Sequence, residues 1–352
     1  LFLTALSTVL LIGTQYFGPA LLRLFISSDA VYEAAWTYLD WRMWGVYFSM
    51  VACLFRAFFV GTTQTGVLKY NAVVMVLSNV VLNYVLVFGH LGFPALGIAG
   101  AAIASSIASG ISMLFFIAYT FFKVDYHRFA LHRLPKFKFR LLAKMLNVSL
   151  WMMVQSFLSL ITWFLFFIAI ERLGQRELAV TNVLRTIMSF TFMTLSAFAS
   201  TASTLTSNFL GSGHLTCVRP MVWRVIRMAY FVLIPIWLLI VIFPVEVMSI
   251  FTDEAPIIEA GVAPIRVLAL SYIFEVTAFV FFQSISGTGN TRISFYIEVF
   301  SLVVYCCFIY YAVYLQHCSL SVAWVSEILY ALFLFIPGLL YMRFGRWYRK
   351  EL

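Results

Sequence analysis

The chain reads as an all-α polytopic membrane protein, built as two parallel-repeat helical bundles with ten transmembrane helices visible. Three observations carry that reading. Of its 352 residues, 63% are hydrophobic and only 11% charged, where a soluble domain carries roughly 25% charged residues, so there is too little polar surface to cover a globule in water. The apolar residues come in long uninterrupted runs rich in Leu, Ile, Phe and Val, which suit helices of about 20 residues better than alternating barrel strands of about 10. The basic residues gather in short loops between the runs, which is how membrane topology is encoded.

The spans are expected at 1–22, 34–60, 67–88, 95–122, 146–170, 178–209, 222–245, 260–286, 293–315 and 320–342. The first begins at Leu1, inside an apolar run, with no Met and no basic leader, so it is not a signal peptide; the expectation is that the natural N-terminus is missing. The second carries Asp40 and Arg42 near one end and Arg56 near the other, placed to snorkel toward the headgroups. The fourth opens with the Gly/Ala-rich stretch Gly97 to Gly110, whose small side chains let helix backbones approach closely in lipid.

The longest hydrophilic connection, 123–144, is strongly basic and divides an N-terminal lobe, 1–122, from a C-terminal lobe, 145–352. It is read as a topology signal and linker; its basic face also suits lipid headgroups. His127 and His132 lie in it, five apart and without an acidic or Cys partner, so no metal is expected there. In the C-terminal lobe the sixth span holds Asn182 and Arg185, and the last three hold Glu275, Glu298 and Glu327. Charged groups inside membrane spans are expensive and mark functional positions.

Alternate loops sort the charge. Sixteen of the 23 basic residues fall on one side, from Lys69 through the 123–144 loop, Arg219, Arg224, Arg227 and Arg292 to the C-terminal Arg343, Arg346, Arg349 and Lys350. That side, with the linker and C-terminus, is expected to be cytoplasmic. The net charge of +9 therefore encodes topology and gives no reason to expect nucleic acid. The five cysteines lack CxxC spacing and are read as small core residues without metal or disulfide.

The chain also repeats itself at an offset of 226. Residues 25–87 overlay on 251–313 without gaps, with identities that include Glu33/Glu259, Phe48/Phe274, Gly61/Gly287, Thr62/Thr288 and Thr65/Thr291. An acidic outer loop, a span, a Gly-Thr turn and a second span come into register together. The offset crosses six spans, so both copies face the same way, as parallel repeats. The spans at 146–170 and 178–209 have no partner before Leu1, so twelve helices are expected in the full chain. Glycines 61, 211, 213, 287 and 289 are read as turn residues. No GK[ST] follows them, and neither HExxH nor GxSxG occurs, so no enzyme is expected.

The ordered set Tyr38-Leu39, RAFFVGTTQT (56–65), GFPALGIAGAAIAS (92–105), NFLGSG (208–213) and QSISGTGNT (283–291) resembles the multidrug and toxic compound extrusion (MATE) transporters over essentially the whole chain. The resemblance implies a secondary antiporter of two six-helix lobes, exporting amphipathic or cationic small molecules by alternating access in exchange for sodium ions or protons, with no other cofactor. It also implies a monomer in a bacterial inner membrane, with small-molecule substrate and membrane lipids as its partners. Family members carry an Asp at the spacing of Glu275, used for cation or proton coupling; Glu is one methylene longer. Coupling through Glu275, or a structural carboxylate paired with Arg185, both stay open. The branch with that Asp often has a second acid in the first helix of the C-terminal lobe, where this chain offers Gln155 and Ser156. The position equivalent to Glu275 in the first repeat is Ser49. Cavity candidates are therefore Arg185, Asn182, Gln155, Ser49, Glu298 and Glu327. A lipid or polysaccharide flippase of the same superfamily is the near alternative, and a non-transporting receptor or scaffold the more distant one.

Overall fold

The computed structural model describes residues 2–26, 28–124 and 138–345. His127, His132 and most of the basic linker, together with Arg346, Arg349 and Lys350, lie outside the described residues. The chain divides into two compact units, Leu1–Lys136 and Phe137–Leu352. Ten helices are long and apolar enough to cross a membrane among the described residues. Many of their large apolar side chains face outward, among them Phe122 at 81% and Phe231 at 83% exposure, as lipid-facing residues should.

The first unit contains α1 (Phe2–Phe25), α2 (Asp29–Gly61), α3 (Gly66–Leu86) and α4 (Gly97–Lys123). α4 packs against both α2 and α3, and α1 against α2. The small-residue stripe is what brings α4 in: Gly100, Ala102, Ala104, Ser106 and Ala108 are all buried, and a Cβ on Gly100 would meet the Leu86 carbonyl. Further along, Phe55 and Phe59 stack on the Phe116 ring, and Tyr119 meets the Phe59 ring edge-on. Asn71 and Ser112 lock α3 to α4 by a reciprocal pair, Asn71 Nδ2 donating to the Ser112 carbonyl and Ser112 Oγ to Asn71 Oδ1, each at 2.9 Å. The Asp40 carboxylate accepts a 2.6 Å bond from Gln15 Nε2 on α1. Arg42 Nη1 is buried without a hydrogen-bond partner.

The second unit contains α5 (Phe139–Glu171), α6 (Gln175–Gly211), α7 (Val218–Ile242), the short α8 (Pro244–Ser249), α9 (Ala255–Gly287), α10 (Thr291–Ile309), α11 (Leu320–Ala323) and α12 (Val325–Phe344). α10 continues into a π-helical segment, Tyr310–Leu315. α9 is the centre: it packs on α6, α7, α8, α10 and α12. In the most apolar window of α9 61% of the residues are buried, a share no other span exceeds. α5 begins at Phe139, inside the stretch read as linker, so Arg140 and Lys144 ride on the first turns of the helix beyond its apolar part.

The repeat is visible in the helix bounds. α2 and α9 are each 33 residues long and start and end 226 positions apart. Their turns match as well. Gly289 has φ +79°, and its counterpart Thr63 adopts the same left-handed conformation at φ 62°. The five cysteines depart from the expectation of core positions: none is buried. In a bilayer a weakly polar thiol tolerates lipid, so nothing draws it into the core.

Candidate functional site

Four helices of the second unit each carry a polar strip at helical spacing, which puts its members on one face. On α5 it is Gln155, Ser159 and Thr162; on α10, Ser294, Glu298, Ser301 and Tyr305; on α12, Glu327 and Tyr330; on α9, Ser271 and Glu275. The strips converge on a cavity of about 580 Å³. Its walls include all three carboxyls, Glu275, Glu298 and Glu327, with Gln155, Arg185 and the aromatic rings of Trp163, Phe167, Phe192, Phe279 and Phe282.

The carboxyls are deeply buried, at 7%, 2% and 5% exposure for Glu275, Glu298 and Glu327. Their hydrogen bonds come from hydroxyls. Ser271 Oγ donates to Glu275 Oε1 at 2.9 Å from one turn below on the same helix. Tyr305 OH donates to Glu327 Oε1 at 3.0 Å, joining α10 to α12. Glu298 Oε1 accepts two: Ser159 Oγ at 2.8 Å from α5 and Tyr330 OH at 2.9 Å from α12. Its other oxygen, Oε2, is buried without a partner, and so is Gln155 Oε1 on the facing α5.

Arg185 is the one basic residue in the lining, and it does not take the pairing that the sequence left open for it. Its guanidinium lies over the Phe167 ring at 5.2 Å, a cation–π placement that leaves Glu275 to its serine. The cavity therefore holds more carboxyl groups than cations. Like charges repel in a medium of low dielectric, and each loses hydration on burial. An arrangement of this kind takes up cations or protons to reach a tolerable charge. Among the described residues no group of His, Cys, Asp and Glu is disposed to hold a metal ion.

The other sequence candidates divide cleanly. Gln155, Arg185, Glu298 and Glu327 line the cavity with Glu275. Asn182 does not; it is exposed on α6, and its carbonyl accepts a 3.0 Å bond from Thr186 Oγ. It sits one turn before Arg185, outside the stretch of α6 from Arg185 to Leu195 that supplies the lining. Ser49 belongs to α2 of the first unit and is not part of this cavity. Of the glycines, Gly61, Gly211 and Gly287 end α2, α6 and α9, while Gly213 (φ +78°) and Gly289 (φ +79°) occupy left-handed positions just beyond. Gly287 has a further reason to be Gly: a Cβ there would collide with the backbone of Ser203 on α6. The sequence reading missed Ser159, Ser271, Tyr305 and Tyr330, the donors to the carboxyls. Their spacing on each helix, three, four or seven residues from an acid or amide, is the signal that finds them.

A family model, MatE, matches residues 1–85 and 149–311. The chain belongs to the MatE family. Among curated relatives, the "Probable multidrug resistance protein NorM" of Photorhabdus laumondii subsp. laumondii is 24% identical over 311 residues, covering 85% of this chain and 66% of that protein. The protein of the same name from Thermotoga maritima is 22% identical, covering 99% of this chain and 75% of that one. Against the NorM relatives of Photorhabdus and Pasteurella multocida, this MatE chain spans 66% and 59% of their length. Two solved structures share the fold. One is described as the outward-facing conformation of a multidrug resistance MATE family transporter of the MOP superfamily; it aligns with TM-score 0.88 at 18% identity, over 99% of this chain and 78% of its own. The other, a MATE in the straight conformation, aligns with TM-score 0.81 at 19% identity, over 97% and 76%.

Proposed function

We propose that the protein is a secondary antiporter that exports amphipathic or cationic small molecules, driven by inward movement of sodium ions or protons. The observation that carries this reading is the cavity in the second unit, where three buried carboxyls face one guanidinium and a wall of aromatic rings. Glu275 is the coupling residue. It is the one carboxyl of the three whose only hydrogen-bond donor comes from its own helix, Ser271 on α9. An ion or proton can replace that local bond without unlatching one helix from another. Binding there biases the protein between two access states only if its affinity differs between them. When the carboxyl is ionised the cavity favours a cationic substrate; when it is neutralised the substrate is released. MatE membership and the NorM relatives named for multidrug resistance support the same reading. A flippase for anionic lipid carriers would want a cationic cavity, which this lining does not offer. The basic loops support a cytoplasmic linker and C-terminus, and the family resemblance supports a bacterial inner membrane.

The test is efflux of a fluorescent cationic dye from cells expressing the full-length gene, under imposed sodium and proton gradients, with Glu275→Gln beside the wild type. The wild type extrudes dye and Glu275→Gln, at equal membrane abundance, does not; the gradient that supports efflux names the ion. Unchanged efflux in the variant would remove Glu275 from coupling.

A further inference from the structure

We infer that the end of the cavity formed by Glu298 and Gln155 is a recognition site for organic cations that carry N–H donors, such as primary and secondary ammonium or amidinium groups. It is separate from the coupling role of Glu275, and the inference rests on the small-molecule transport reading given above.

The argument begins with unmet bonding capacity. A buried acceptor left without a donor carries a desolvation penalty of about 1–3 kcal/mol, more for a charged one. Native proteins leave few such groups, and each calls for an explanation. Here two lie on the wall of one cavity, Glu298 Oε2 and Gln155 Oε1. Glu298 is 98% buried, since its exposure is 2%. Its Oε1 is already saturated by Ser159 and Tyr330, which fix the carboxyl so that Oε2 is the oxygen left over. Ser159 is one helical turn beyond Gln155 on α5, so the bond that anchors Glu298 ties its carboxyl to the α5 face that also carries Gln155, and both free acceptors belong to the lining of one cavity. The missing partner is thus a donor of more than one hydrogen, positively charged because one of its acceptors is a carboxyl. An N–H cation supplies that. A quaternary ammonium, which has charge but no N–H, cannot.

The rest of the cavity fits the body of such a molecule. At about 580 Å³ it falls within the ~300–1,000 Å³ of ligand pockets, far more than a single metal ion occupies. Its walls also carry Trp163, Phe167, Phe192, Phe279 and Phe282, so an aromatic or aliphatic body can lie against rings while the N–H head reaches the oxygens. Glu327, the remaining carboxyl, is tied to Tyr305 and supplies charge without a directed bond.

The experiment is a binding comparison on the purified full-length protein in detergent, with two probes that share an apolar body: 2-(1-naphthyl)ethylammonium and its N,N,N-trimethyl analogue. The wild type binds the primary ammonium at least about tenfold more tightly, the value of one charge-assisted hydrogen bond. Glu298→Gln, which keeps shape and volume, removes most of that preference while the trimethyl probe changes by less than about threefold. Gln155→Leu reduces the preference more modestly. Equal wild-type affinity for the two probes overturns the inference and leaves the transport reading standing, and no variant is needed to see it. A preference that survives Glu298→Gln in a correctly folded protein, shown by an unchanged melting profile, overturns the assignment to Glu298. If the wild type binds neither probe, while dye efflux is also absent, the transport reading itself falls and the inference with it.

Discussion

Gly61 and Gly287 occupy equivalent positions in the two repeats, and the structure gives the same substitution opposite consequences at each. A Cβ on Gly287 would lie 2.9 Å from Ser203 Cα and 3.0 Å from its carbonyl carbon. These are backbone atoms of α6, which no side-chain rotation can move aside. The contact is also bonded: Ser207 Oγ donates to the Gly287 carbonyl at 2.6 Å. Gly287→Ala must therefore push α9 off α6 at its most buried end, an overpacking that costs about 1–3 kcal/mol. Around Gly61 nothing lies within 4 Å of the added Cβ, and the residue closes α2 in a helical conformation. There Gly61→Ala removes freedom from the unfolded chain and stabilises by about 0.4–1 kcal/mol. With each kcal/mol worth roughly 2–4 °C in a unit of this size, Gly287→Ala lowers the melting midpoint by about 2–12 °C, while Gly61→Ala leaves it level or raises it slightly. Thermal unfolding of both variants in the same detergent, followed by tryptophan fluorescence, measures the difference. Equal melting of the two variants would refute the close-approach argument.

Other expectations follow from single contacts. Thr63→Gly relieves a left-handed β-branched residue at φ 62° and raises stability by about 1 kcal/mol, read as a higher melting midpoint; no rise would show that the turn imposes no strain. Asn71→Ala strands the buried Ser112 hydroxyl and carbonyl and costs about 1–3 kcal/mol by the same assay. Trp324 is fully buried with its indole N–H unpartnered, so Trp324→Ala costs about 3–5 kcal/mol through the cavity it leaves. Trp324→Phe, which loses no hydrogen bond, costs much less, and similar melting of the two would contradict the packing account. Tyr330→Phe removes one of the two donors to Glu298 Oε1 and weakens the preference for N–H cations over quaternary ones by about three- to tenfold, measured with the same pair of probes.

Much of the fold was legible because hydropathy and charge report on it residue by residue. The Gly-Thr turns at 61 and 287 set the register of the repeat, and the helices that end there have identical lengths. Glu275 stood out because a carboxyl deep in an apolar run has a large penalty whatever surrounds it. What it meets did not stand out. Glu298 and Glu327 lie on two other helices, and whether acids at 275, 298 and 327 share a cavity depends on how α9, α10 and α12 rotate against one another, which packing decides. The strip Ser294, Glu298, Ser301 and Tyr305 on α10 would have shown which face turns inward. Arg185 lines the cavity as the sequence suggested, but its contact was not legible: its long side chain reaches several neighbours, and it settles over the Phe167 ring. The early start of α5 at Phe139 was hidden because the first turns of that helix are basic, and charge marks the edge of the apolar region, which is not the edge of the helix.

The duplication has an experimental use beyond its architecture. Every position from 25 to 87 has a twin 226 residues later in the same polypeptide. Glu275 pairs with Ser49, Gly287 with Gly61, Gly289 with Thr63. A substitution in one repeat can be judged against its twin in the same molecule, at the same expression level and in the same lipid. The protein carries its own internal control.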